Sequence, residues 1–149
     1  MTLPPLFEFG PVVAYDSAID KLERIIFRPT EPINLATYGI LVGWQDQNGL
    51  ITPLKDNFFW FGEIQIAPPC WIVVYTGKGE NKLISHHQTG HPVYIFYWGN
   101  DTTILNLKET VPVLVRFAGI QIGSHNNPPA AWHEFEAQLS VPSTPALQP

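Results

Sequence analysis

The chain has few charged residues and no cluster of basic ones. Asp, Glu, Lys and Arg make up only 14% of its 149 residues, whereas a typical soluble domain has about 25%. The eight Lys and Arg are scattered, and the net charge is −5. Binding the phosphates of a nucleic acid requires a basic stripe, so the composition argues against DNA or RNA as a partner. A domain short of charge exposes more uncharged surface, which favours contact with another protein.

The sequence is equally poor in cysteine and in long apolar runs. Its one cysteine, Cys70, cannot form a disulfide within the chain and is expected in the core. The first residues, MTLPPLFEFGP, have neither the basic start nor the apolar stretch of a signal peptide. No apolar segment approaches the about 20 residues that a membrane-spanning helix needs. These absences predict a cytoplasmic protein without a membrane partner.

The length of the chain fits one domain. Residues 1–139 are predicted to form a single globular domain, in which the first eleven residues are an extended arm. This arm should pack on the body, because Leu6, Phe7 and Phe9 are costly to leave in water. The last ten residues, 140–149, are rich in proline and are predicted to be a disordered tail.

Apolar residues alternate with polar ones from residue 37 onward, which indicates strands. Asn48-Gly49 between two apolar runs predicts a hairpin with a type I′ turn. Cys70–Thr76 and Pro92–Trp98 are typical of core strands, and further strands are predicted over Thr102–Leu107 and Val111–Ile122. The predicted fold is mainly β, an antiparallel β-sandwich or barrel of seven to eight short strands. The alternative is an α+β sheet with helices on one face.

Two short helices are predicted beside the strands. The first covers Asp16–Phe27, where apolar residues recur at helical spacing and the acidic residues, Glu23 among them, form a solvated face. Its last residues, 24–28, could instead form a strand. The second helix begins after Asn127 and has one apolar face, made of Trp132, Phe135 and Leu139.

Three of the five histidines fall in one short segment, His86 to His91. A zinc site needs three or four donors around one point. Consecutive residues of a strand point to opposite faces, so His86 and His87 are not expected to share an ion. His87 and His91 flank the turn and are the candidate metal ligands, with a carboxylate such as that of Glu63 or Glu80 completing the site. The alternative is an exposed hairpin that binds no cofactor.

Aromatic residues are the most unusual feature of the predicted strands. A β-domain of this size can bury one face of a strand, but burying both faces requires a further layer on each side. Some rings should therefore be exposed and available for binding, as Tyr and Trp often are at interfaces. The candidate binding residues are Trp44, Trp60, Tyr94, Phe96 and Trp98.

Three functions are compatible with this composition. The first is a non-enzymatic domain that binds a protein partner or its own copy, as in a homodimer, through the aromatic strands. The second is a β-sandwich that binds a carbohydrate or another small polar ligand on a tryptophan. The third is a metalloenzyme that uses zinc at His87 and His91. Sequence motifs for a serine nucleophile are absent.

Overall fold

A computed structural model describes residues 6–10, 23–123 and 130–140 of the chain. Its elements confirm a mainly β fold with one α-helix and one short 3-10 helix, Leu35–Thr37, among the described residues. The strands, in chain order, are β1 (Phe7–Phe9), β2 (Arg24–Pro29), β3 (Ile33–Asn34), β4 (Tyr38–Gln45), β5 (Ile51–Trp60), β6 (Gln65–Ile66), β7 (Trp71–Tyr75), β8 (Lys82–Ser85), β9 (Pro92–Tyr97) and β10 (Thr110–Arg116). The helix is α1 (Ala130–Ser140).

The strands form two facing sheets and a small ladder. The larger sheet has the order β1-β2-β7-β9-β8, the second has the order β10-β4-β5, and β3 pairs with β6. Aromatic rings join the two large sheets, since Phe96 of the first lies 6.0 Å from Phe59 of the second. Each of these sheets ends in an edge strand within the described residues, so the fold is a sandwich and not a closed barrel.

The core lies between the inner faces of the two sheets. In β2 the alternating Ile25 and Phe27 are fully buried, as are Ile72 and Val74 in β7. The second sheet contributes Ile40 and its alternating neighbours. This period of two places every second side chain in the core and explains why the strand pattern was readable from the sequence.

One pairing departs from the predicted antiparallel arrangement. Strands β7 and β9 run parallel, with Ile72 opposite Tyr94. The chain passes from β7 to the edge strand β8, turns back through the histidine segment, and places β9 between the two. The connection is held where Asn81 Oδ1 accepts a hydrogen bond of 2.9 Å from the Tyr97 amide. The prediction of a wholly antiparallel sandwich is therefore wrong at this pair.

The predicted first helix is also wrong where the structure describes it. Residues 24–29 form β2, so the strand alternative holds for this segment. Pairing with β7 supplies the backbone bonds that a helix would have made internally, and the β-branched Ile25 and Ile26 suit a strand. The earlier part of the predicted helix, residues 16–22, lies outside the described residues.

Glu23, which the helical interpretation places in solvent, is buried with only 1% of its surface exposed. Its Oε1 accepts hydrogen bonds of 2.6 Å from Thr76 Oγ1 and 2.8 Å from the Ile104 amide. Its Oε2 accepts a bond of 3.0 Å from the Leu105 amide. The carboxyl group thus anchors the long connection between β9 and β10. A strand is predicted over Thr102–Leu107, but this segment forms no strand, and Leu105 is instead buried in the core.

The hairpin at Asn48-Gly49 is present, but its turn differs from the predicted type. The amide of Asp46 donates to the carbonyl of Leu50, and the Gly49 amide donates to the Asp46 carbonyl. Gly49 has φ of 79°, which glycine adopts without strain. The loop therefore has three residues and ends in a left-handed glycine, a common hairpin form.

The described part of the N-terminal arm packs on the body, as predicted. Strand β1 pairs with β2, and Phe7 lies edge-on to Phe27 with the ring centroids 5.4 Å apart. Phe9 stacks on the same ring at 5.4 Å. The apolar side chains of the arm thereby extend the core beyond the two central sheets.

By its internal contacts the chain divides into two units, Met1–Ala118 and Gly119–Pro149. The second unit contains α1, which confirms the predicted helix beyond Asn127. The prediction of one domain over residues 1–139 stays a prediction, and residues 141–149 of the predicted tail lie outside the described residues. Within the described ranges, no helix has both the length and the apolar composition of a membrane span.

Candidate functional site

The structure separates the aromatic residues that the sequence groups as one binding surface. Phe96 is 3% exposed and belongs to the core, so it is not accessible to a partner. Tyr94 and Trp98 point to the same inner side and pack partly buried against that core. Trp60 is 51% exposed and Trp44 is 40% exposed, both in the three-stranded sheet. The alternation in β9 was predicted correctly, but its ring-bearing face is the buried one.

The outer face of the three-stranded sheet is an exposed apolar surface. Paired residues of antiparallel strands share a face, and Leu41 pairs with both Phe58 and Val113. Phe58 is 47% exposed. We call this surface the β4 outer face; its side chains are Leu41, Ile51, Phe58, Trp60, Val111, Val113 and Val115. The residues that define it carry no charge.

Two glycines of β4 make the β4 outer face flat. A Cβ atom at Gly39 would lie 2.5 Å from Phe58 Cζ and 2.9 Å from the Phe59 carbonyl oxygen. A Cβ atom at Gly43 would overlap the side chain of Ile51. The Phe58 and Ile51 side chains therefore lie across the glycines, which spreads apolar area parallel to the sheet.

The substitution Gly39→Ala is expected to lower the free energy of unfolding by about 1–3 kcal/mol, because the added methyl group meets a backbone oxygen that cannot move away freely. Urea denaturation of the two proteins measures this difference. Gly77→Ala is the matched control, since a Cβ atom there would meet nothing within 4 Å. Equal effects of the two substitutions would contradict the close approach of Phe58 to Gly39.

The histidine segment forms a hairpin turn whose register differs from the predicted one. The His86 amide donates to the His91 carbonyl at 2.8 Å, so His86 and not His87 lies opposite His91. Gly90 has φ of 73°, which closes the turn. Strand β8 ends at Ser85, and the His86 and His87 rings stack with centroids 5.0 Å apart. His86 Nδ1 lies 3.2 Å from the Thr89 hydroxyl, and that hydroxyl accepts from the His91 amide.

These histidines do not come together with a further ligand in the described part of the chain. There, no group of three or more His, Cys, Asp or Glu side chains is placed to hold a metal ion. Zinc at His87 and His91 therefore stays a prediction from the sequence. Cys70 is buried, and burial raises the pKa of its thiol, so the thiol is protonated at neutral pH and is a poor nucleophile.

A second candidate site surrounds Trp71 on the outer face of the five-stranded sheet. Arg28 stacks on its indole ring at 4.9 Å, and Glu8 lies beside Arg28 on the next strand. On the other side of Trp71 lies Val93. Across the neighbouring strands, the side chains thus change from charged on one side of the indole to apolar on the other.

Two adjoining clefts meet at this tryptophan, and the histidine hairpin forms one wall of both. The more polar cleft has a volume of about 470 Å³ and includes Glu8, Arg28 and His91. The more apolar one, about 360 Å³, includes Ile26 and Val93. Trp71 and Thr89 line both. We call the pair the Trp71 cleft.

Sequence reasoning missed Trp71 because Cys70–Thr76 is continuously apolar and was interpreted as a strand covered on both faces. Trp71, Val73 and Tyr75 are only partly buried on the outer face. Arg28 and Trp71 are distant in sequence, and only the register of β2 against β7 brings them together. A usable signal is the bulky Trp71 two residues after Pro69, where β7 begins.

The comparisons with known proteins identify no relative for this fold. No protein family matches the chain, and neither a curated protein nor a solved structure is significantly similar to it.

Proposed function

We propose that the protein is a cytoplasmic interaction domain that associates with a second copy of itself through the β4 outer face. The observation that carries the proposal is the half-exposed, uncharged surface around Phe58 and Trp60. Leaving such a surface in water is unfavourable by about 25 cal/mol for each Å² of apolar area. Contact between two copies removes that area from water on both sides at once.

The distribution of charge favours contact between two copies at the β4 outer face rather than at other parts of the surface. Two molecules that each carry a net charge of −5 repel one another. The side chains that define the β4 outer face include no acidic one, and Glu109 continues the face only at its end, so a contact centred on Leu41 and Phe58 buries no carboxylate of this set. Its flatness suits packing of one sheet on another, with the two backbones about 10 Å apart.

The variant Val113→Glu is expected to abolish this association. Val113 lies on β10 beside Leu41 of the central strand, and in a symmetric dimer the change would place two carboxylates in one apolar contact. Multi-angle light scattering over roughly micromolar to millimolar concentrations measures the mass of each protein. The wild-type mass should rise from monomer towards dimer, while the variant stays monomeric with unchanged circular dichroism.

Leu83→Glu is the matched control, because Leu83 is an exposed leucine on β8 of the other sheet. It adds the same charge and should leave the rise in mass unchanged. A wild-type protein that remains a monomer throughout the concentration range would disprove self-association. Equal loss in both variants would show that added charge, and not the β4 outer face, controls the mass.

A further inference from the structure

We propose that the Trp71 cleft binds a small neutral glycoside, a sugar ring that carries an apolar substituent. This site lies on the sheet opposite to the β4 outer face, so it does not depend on self-association. The inference rests on the order of side chains across the sheet, from an ion pair through an indole to an apolar patch. A ligand that satisfies this order must itself be polar at one end and apolar at the other.

The polar end of the cleft favours a neutral ligand over an ion. Arg28 Nε and Nη2 lie 2.8 Å and 2.7 Å from Glu8 Oε2, so the two charges already neutralise each other. The pair therefore presents no net charge that would attract either an anion or a cation. A hydroxyl group, in contrast, can donate to a carboxylate and accept from a guanidinium without breaking their ion pair. Adjacent hydroxyls of a sugar provide several such groups on one rigid ring.

The indole explains why the hydroxyls should belong to a ring. The C–H face of a sugar is apolar and flat, and it packs on an aromatic surface while its hydroxyls reach the rim. Trp71 is partly exposed in the wall shared by both halves of the cleft. Arg28 lies over one face of the indole, so the sugar has to pack on the opposite face. His91 and Thr89 supply further hydrogen-bonding atoms on the hairpin side.

The apolar half gives a place to the substituent of the sugar. Ile26, Val73 and Val93 line it, and nearly all of its wall is carbon. A free sugar would leave this half unfilled, whereas an alkyl or aryl group would displace water from it. The two halves have the volumes expected of small-molecule sites, which are about 300–1,000 Å³.

The test uses hexyl glucoside, hexyl galactoside and hexyl mannoside as probes of the full-length protein. Isothermal titration calorimetry should show saturable binding of at least one of them, about tenfold or more tighter than that of the free sugar or of hexanol. Glu8→Gln, an exposed and nearly isosteric change, should weaken binding of that glycoside by about fivefold or more. Trp71→Leu should remove it, and Leu50→Ala, at an exposed position between β4 and β5 of the other sheet, should not.

Three outcomes would overturn the proposal. The first is that none of the three glycosides binds saturably. The second is that hexanol binds as tightly as the best glycoside, which would show that the cleft is only an apolar depression. The third is that Glu8→Gln leaves the affinity for the glycoside unchanged. The Glu8→Gln result is decisive even where Trp71→Leu disturbs folding. Light scattering of the same samples keeps a failure of this site distinct from a failure of self-association.

Discussion

The substitution Glu23→Ala is expected to lower the free energy of unfolding by about 3–5 kcal/mol, which is a large part of the about 5–15 kcal/mol that stabilises a typical domain. It leaves the Thr76 hydroxyl and the amides of Ile104 and Leu105 without their acceptor. Each buried donor that loses its partner costs about 1–3 kcal/mol. Urea denaturation followed by tryptophan fluorescence measures the change.

Two further variants separate hydrogen bonding from charge. Glu23→Gln keeps the side-chain volume but turns an amide –NH₂ group towards a hydrogen-bond donor. It should therefore lower the free energy of unfolding by about 1–3 kcal/mol. Glu80→Gln removes the same charge from an exposed position and should change stability by less than about 0.5 kcal/mol. If Glu23→Ala were as mild as Glu80→Gln, the carboxyl group would not be what holds the β9–β10 connection.

The substitution Phe27→Ala is expected to cost about 3–5 kcal/mol as well, and to release β1 from the sheet. Phe27 is fully buried, and its ring contacts Phe7, Phe9 and Phe61. Removing it leaves a cavity under β1, which also loses its stacking partner. Urea denaturation measures the loss of stability, and hydrogen exchange by NMR should show that the β1 amides exchange faster in the variant than in the wild type, by a larger factor than the β4 amides do.

Phe58→Ala is the control for the loss of one phenyl ring. Phe58 is half exposed on the β4 outer face, so its removal should cost no more than about 1.5 kcal/mol. Unchanged exchange rates in β1 of the Phe27→Ala protein would mean that backbone pairing alone holds this strand in place.

The sequence is sufficient to predict most of the strands, because alternation reports directly which side chains face a core. It also predicts the hairpin at Gly49 and the packing of the N-terminal arm. It fails at β2, where helical and strand periods both fit a short apolar run and only the partner strand β7 decides between them. Once β2 is a strand, Glu23 falls in phase with Ile25 and Phe27 and is buried with them.

The candidate sites depend on contacts between distant segments, which periodicity does not contain. The exposure of Trp60 follows from the choice of which face of β5 points outward. Tyr94 and Phe96 lie on the inner face of their sheet, which the sequence did not indicate because ring content does not tell an inner face from an outer one. The Trp71 cleft requires the register of four strands, and none of the three pairings between them is local in the sequence.

The pairing of β4 with β10 has a consequence for how the protein is made. Leu41 of β4 pairs with Val113, so the three-stranded sheet is incomplete until nearly the whole first unit has left the ribosome. At about 5–20 residues per second, β4 and β5 wait several seconds for their third strand. Sheets built from such distant pairs also fold slowly, in milliseconds to seconds. During this interval the nascent hairpin presents an unpaired, apolar edge, and a chaperone that covers it should raise the yield of native protein.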